Sequence, residues 1–189
     1  WPDMEEVLRE AGVPLFSLET RTPLREFDIL GFTLQYELHF TNILQMLELG
    51  GVPLRAEARE ASDPLVIAGG PCAFNPEPIA DFLDAVVLGD GEEISVAIAN
   101  RVAQGKAAGE SRLELLYGLA EVPGVYIPRF YQPEYDANGQ LTGTHRTSDR
   151  VPDTVTAQVL TELSDDNYPD APVVPSMETA HSRFSLEVM

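Results

Sequence analysis

One cysteine, one lysine and three histidines are all that this 189-residue chain offers of the side chains that most often do nucleophilic or metal chemistry. Cys72 alone permits neither an internal disulfide nor a closed cysteine cage for zinc or iron. His39, His145 and His181 lie too far apart for metal-ligand spacing, and each reads as a surface or capping residue. No apolar run reaches the length that crosses a bilayer, and the opening WPDMEEVLRE is acidic where a secretory signal would be basic. The chain is therefore expected to be soluble and cytoplasmic, without a membrane contact. Bases are scarce as well: 12 Lys and Arg against 31 Asp and Glu give a net charge of -19. Such a surface repels a phosphate backbone, so direct nucleic-acid binding is not expected. Neither GxGxxG nor GxxxxGK[ST] occurs, which removes the two common phosphate cradles.

What is present is a globular composition, 44% apolar and 23% charged. Two short apolar runs, 65–68 and 85–88, stop abruptly at glycine, as buried parallel strands do when their turns pass close to something. A third strand is predicted over 28–34, followed by a polar turn over 35–39. Phe40, Ile43, Leu44 and Leu47 then recur at helical spacing, with Gly50 and Gly51 as the stop. Further helices are predicted over 2–11, 78–83 and 111–120, and another whose buried face is Ile94, Ala97, Ile98 and Val102. Asp90 and Glu93 have the spacing of a capping box for that helix, and 104–110 reads as a break after it. Residues 14–18 are a strand candidate, joined to the next strand by a charged connector.

Alternation of strand and helix argues an α/β fold, a Rossmann-like open parallel sheet with flanking helices. After Val122 the texture changes. Residues 125–135 and 140–146, separated by the turn DANG, read as a β-hairpin, with Pro128 and Pro133 marking an edge. Residues 147–175 are proline-rich and acidic and read as an extended linker, and 183–189 reads as a final strand.

In open α/β sheets ligands bind outside the carboxyl ends of the strands. The candidate binding residues are accordingly Thr33 and Gln35 after the first strand, Gly69, Gly70, Pro71 and Cys72 after the second, and Gly89, Asp90, Gly91 and Glu92 after the third. The glycines let a flat ligand approach the backbone, or simply make tight turns. Thr33 offers a hydroxyl, although a threonine bonded to backbone is commoner. Cys72 is a possible nucleophile or ligand, although buried inert thiols are commoner. Asp90 and Glu92 place carboxylates where a dinucleotide fold would present bare amides, which argues against a nucleotide. Asp28, Glu77, Asp81 and Asp84 are carboxylates of the kind that cap turns. No residue is singled out as catalytic, and none as a metal ligand.

The sequence FDILGFTLQYE, then VIAGGPCAFNPEP, then DAVVLGDGEE resembles the cobalamin-binding-type domain that precedes the barrel in radical S-adenosylmethionine proteins. Gly31, Thr33, Gly69, Gly70, Pro71, Pro76, Glu77, Asp84, Gly89, Gly91, Glu92 and Glu93 carry the likeness. VPGVYIP at 122–128 resembles the bridge that follows, and HSRFSLEVM at 181–189 the first barrel strand. The resemblance implies a cobalamin-binding-like domain over 1–121 whose first strand would precede Trp1, a hairpin bridge over 122–147, a linker over 148–182 and the start of the barrel over 183–189. It implies cobalamin as cofactor and the chain's own barrel as partner. The [4Fe-4S] cluster and S-adenosylmethionine would belong to that barrel, because the C-x-x-x-C-x-x-C motif is absent here. The D-x-H-x-x-G motif that supplies an axial histidine is absent too. Two other readings stand beside this one: a cofactor-free docking module that selects substrate at the barrel mouth, and a nucleotide-binding α/β enzyme.

Overall fold

The computed structural model describes residues 2–162. Helix α1 (Pro2–Ala11) opens the chain, and its Arg9 bonds to Glu5 one turn back and to Glu48 across the fold. Strand β1 (Ile29–Thr33), helix α2 (Phe40–Leu49), strand β2 (Leu65–Gly69) and strand β3 (Ala85–Val87) follow. Helices α3 (Gly91–Ala107) and α4 (Arg112–Ala120) lead to strand β4 (Val125–Tyr126), and β5 (Tyr131–Tyr135) pairs with β6 (Leu141–Arg146). The sheet has the order β1-β2-β3-β4, with β1, β2 and β3 parallel and β4 antiparallel to β3. The predicted α/β architecture is thus present, with a mostly parallel sheet.

Alternation along the strands divides the interior into two cores. On one face Leu30, Val66, Ala68 and Val86 pack with Ile43 and Leu47 of α2 and with Ile79 and Leu83. On the other, Leu65, Ile67 and Ala85 pack with Ile94, Ile98 and Val102 of α3 and with Leu116 and Leu119 of α4. Each fully buried aliphatic side chain contributes about 1.5–3 kcal/mol of transfer free energy. Both crossovers before β3 therefore lie on the first face, and the chain changes face after it.

Several expectations are corrected. Val125–Tyr126, expected in the hairpin, instead closes the main sheet, because Val125 and Ile127 are buried in the second core. The hairpin proper is β5 and β6, and Asp136 accepts the amides of Asn138 and Gln140 to fix its turn. Residues 14–18 make only the isolated bridge Phe16 to Pro23. The helix expected over 78–83 is a 3-10 segment, Glu77–Phe82, and α3 runs on to Ala107 through part of the expected break. The described start of the expected linker is packed, not free: Val151 is buried, and Gln158 forms a parallel bridge to Gly89. The strand expected over 183–189 lies outside the described residues. Among the described residues no helix is long and apolar enough to cross a membrane.

Candidate functional site

Along β1 the residues Ile29, Gly31 and Thr33 share one face, where Ile29 is half-buried against the second core while Gly31 and Thr33 stay exposed. A cleft of about 510 Å3 follows from that uneven cover. Its floor is Ile29, Gly31 and Thr33 of β1, Ile67 and Gly69 of β2 and Val87 of β3, and its far wall is Gly91, Ser95, Ile98 and Ala99 of α3. Five of its lining residues are glycine: Gly31, Gly69, Gly70, Gly89 and Gly91. The cleft is apolar and side-chain-poor, open along β1 and bounded above by the turns after β2 and β3.

The ten candidate residues divide between this cleft and its surroundings. Thr33, Gly69, Gly70, Gly89 and Gly91 line it together. Pro71 and Cys72 lie in the 3-10 turn Pro71–Phe74, where the Cys72 amide bonds to the Leu34 carbonyl. Partial burial and the Glu37 carboxylate push the Cys72 thiol up, away from the reactive thiolate. Gln35 and Glu92 are exposed and outside the lining. Asp90 is the N-cap of α3, but no side-chain capping bond forms. Its carboxylate instead accepts the amide of Leu160 at 2.6 Å, so the capping box expected with Glu93 is not made. The backbone donor that Asp90 satisfies thus belongs to the returning segment, not to the first turn of α3.

Two of the glycines have reasons within the chain. Gly70 has φ +101, and a Cβ there would press on Thr33 Cγ2 and the Leu34 amide. Gly89 has φ +98, and a Cβ would collide with the Gln158 backbone. Gly31 differs, with open space where its Cβ would stand. Ile29, Ile67, Val87, Ser95, Ile98 and Ala99 also line the cleft and are not among the binding candidates read from the sequence, where Ile98 figures only as a buried helix residue. The alternation Ile29, Gly31, Thr33 was the available signal, since it puts two small residues on a face that should be filled.

The four carboxylates read from the sequence as turn caps are engaged in pairs and hydrogen bonds. Asp84 is buried and receives Arg59 Nη1 at 2.7 Å, Arg112 Nη2 at 2.8 Å and the Val66 amide at 2.8 Å. Asp81 pairs with Arg55, Asp28 with Lys106, and Glu77 accepts the Tyr126 hydroxyl. Among the described residues no group of three or more His, Cys, Asp or Glu is placed to hold a metal ion. His39 packs edge-on against Tyr36 and His145 pairs with Glu134, so neither faces the cleft. His181 lies outside the described residues.

A curated relative, the uncharacterized protein MJ0966 of Methanocaldococcus jannaschii, is 31% identical over 96 residues, which is 49% of this chain and 20% of that protein. The chain thus spans about one fifth of the length of that relative. A family model described as "Radical SAM proteins, N-terminal" matches residues 1–128, the stretch that supplies the first core, the cleft and all of the second core except Phe130 and Val151. The chain belongs to the family of N-terminal domains of radical SAM proteins.

Proposed function

We propose that the chain is an accessory domain of a radical SAM protein that holds a corrin cofactor, or a substrate of similar flatness, in the cleft along β1. The carrying observation is the cleft itself, about 510 Å3 of apolar space with five glycines in its lining, running along the sheet face from Ile29 to the glycine turns at the carboxyl ends of β2 and β3. The residues fit such a group in shape and polarity. Gly31, Gly69 and Gly91 leave room for a flat face, Ile29, Ile67, Val87 and Ile98 supply apolar contact, and Thr33 offers a hydroxyl from the floor, while the Ser95 hydroxyl donates to the Gly91 carbonyl. None of the described lining residues is a histidine, so a cobalt would take no imidazole from them. A bound cobalamin would supply methyl-carrier or radical chemistry, and the chain's part is to position it and exclude water from one face. The cluster and S-adenosylmethionine belong, in this reading, to the barrel of the parent protein.

The test is a titration of hydroxocobalamin into the 189-residue chain, followed by gel filtration. Corrin co-eluting with the protein and showing an altered absorption spectrum supports the cofactor reading. A folded protein that elutes free of corrin at saturating concentration rejects it.

A docking role is the second reading, favoured by three large apolar side chains exposed on neighbouring loops after β1 and β2. Tyr36 is 53% exposed, Leu38 71% and Phe74 68%. Their loops are joined by the Cys72 to Leu34 backbone bond, so they form one rim at the strand tips. A barrel seated there would cover them. Footprinting of these three residues in the whole parent protein and in this chain should then differ, and equal labelling in both argues against docking at this rim.

A further inference from the structure

Two sequence motifs left over from the cleft meet elsewhere in the fold. Glu77, from the NPEP stretch after β2, accepts a hydrogen bond from the hydroxyl of Tyr126 in β4 at 3.0 Å, across 49 residues of sequence. Beside that bond lies a separate cavity of about 310 Å3, walled by Phe74, Asn75, Glu77, Tyr126, Tyr131 and Asp153. The rings of Tyr126 and Tyr131 stand 4.9 Å apart at 38°, giving the cavity an aromatic side. Tyr131 is fixed by donating its hydroxyl to the Pro152 carbonyl at 2.7 Å.

Charge in this cavity is uneven. The Asp153 carboxylate is matched by Arg146 at 2.7 Å, whereas Glu77 forms no ion pair with a base among the described residues. Tyr126 gives Glu77 a neutral donor only, and the negative charge remains. A carboxylate at the hydroxyl end of a tyrosine, in a cavity with an aromatic side and in a chain of net charge -19, attracts a cation long enough to meet both carboxylate and ring. We infer that the Phe74, Glu77, Tyr126 and Tyr131 cavity binds an organic cation, a guanidinium or alkylammonium group. The source is either a small molecule or an arginine or lysine side chain of a docked polypeptide. The cation would pair with Glu77 and lie over the tyrosine rings. This inference is independent of what the glycine-lined cleft holds.

The test is aromatic NMR of the 189-residue chain titrated with N-acetyl-arginine amide, with the neutral isostere N-acetyl-citrulline amide as control. Saturable shifts at Tyr126 and Tyr131 for the arginine compound only are expected. The Glu77→Gln variant keeps an acceptor for Tyr126 and should weaken binding about tenfold, while Glu19→Gln, an exposed acid outside the cavity lining, should not. Ethylguanidinium and an arginyl tripeptide separate the two sources: similar affinities assign a small cation, and a clear gain for the peptide assigns a side chain. No shift at either tyrosine, equal response to citrulline, or equal weakening by Glu19→Gln overturns the inference.

Discussion

Gly89 and Gln158 are in backbone contact so close that neither could carry its neighbour's side chain any nearer: a methyl group on Gly89 would run into the Gln158 carbonyl. The Asp90 amide donates to that carbonyl at 2.9 Å, and the Gln158 amide donates to Leu88 at 2.9 Å. A sequence motif that looks made for a ligand is here made for the chain's own return.

Gly89→Ala should therefore destabilise the domain by about 2–4 kcal/mol, through the collision and through the positive φ that alanine tolerates poorly. Urea unfolding measures the loss. Amide exchange at Asp90 and Gln158 should quicken more than at Val66 in the central strand, locating the damage at the returning segment.

Gly31→Leu is the opposite case. Open space surrounds the Gly31 Cβ position and its φ is ordinary, so the unfolding midpoint should hold or rise slightly. The new side chain would stand in the cleft and abolish corrin co-elution. A variant that folds well and still retains corrin would place the ligand elsewhere.

Asp84→Asn should cost about 3–5 kcal/mol, because Arg59 and Arg112 would be left as buried cations facing a neutral amide. Arg55→Ala, which breaks the exposed pair with Asp81, should change stability by less than about 1 kcal/mol. Denaturant melts of the two variants give the contrast directly.

Alkali should weaken the fold partly through Tyr126. Burial first, and the Glu77 carboxylate second, push its phenol well above the ordinary tyrosine value of 10.0. The folded state then holds the proton that the unfolded chain releases, so this contribution is whole below about pH 10 and falls as pH rises from there toward the folded value. Unfolding measured across that range should show a shallower alkaline decline in Tyr126→Phe. An unchanged slope would mean that other groups carry the effect.

The strands and their glycine stops were legible because period-two alternation and abrupt turn residues are local signals. The cleft was legible where the strands end, at Thr33, Gly69, Gly70, Gly89 and Gly91. The rest of it, Ile29, Ile67, Val87 and the α3 wall, depends on how α3 lies across the sheet, a tertiary fact with no local signature. The Asp84 network joins residues 25 and 28 positions apart, and composition says nothing of such partners. Asp90 shows the limit of motif reading. Its spacing to Glu93 fits a capping box, yet the carboxylate goes to the Leu160 amide, a donor 70 residues away. Val125 and Tyr126 likewise follow the edge that β3 leaves open, not the hairpin their residue types suggest.

The pairing of Gln158 and Leu160 with the tip of β3 also makes residues 158–160 a brace for the turn that bounds the cleft. Releasing that brace would free Gly89 and Asp90 together, so the shape of the cleft is set partly by a segment that lines none of it.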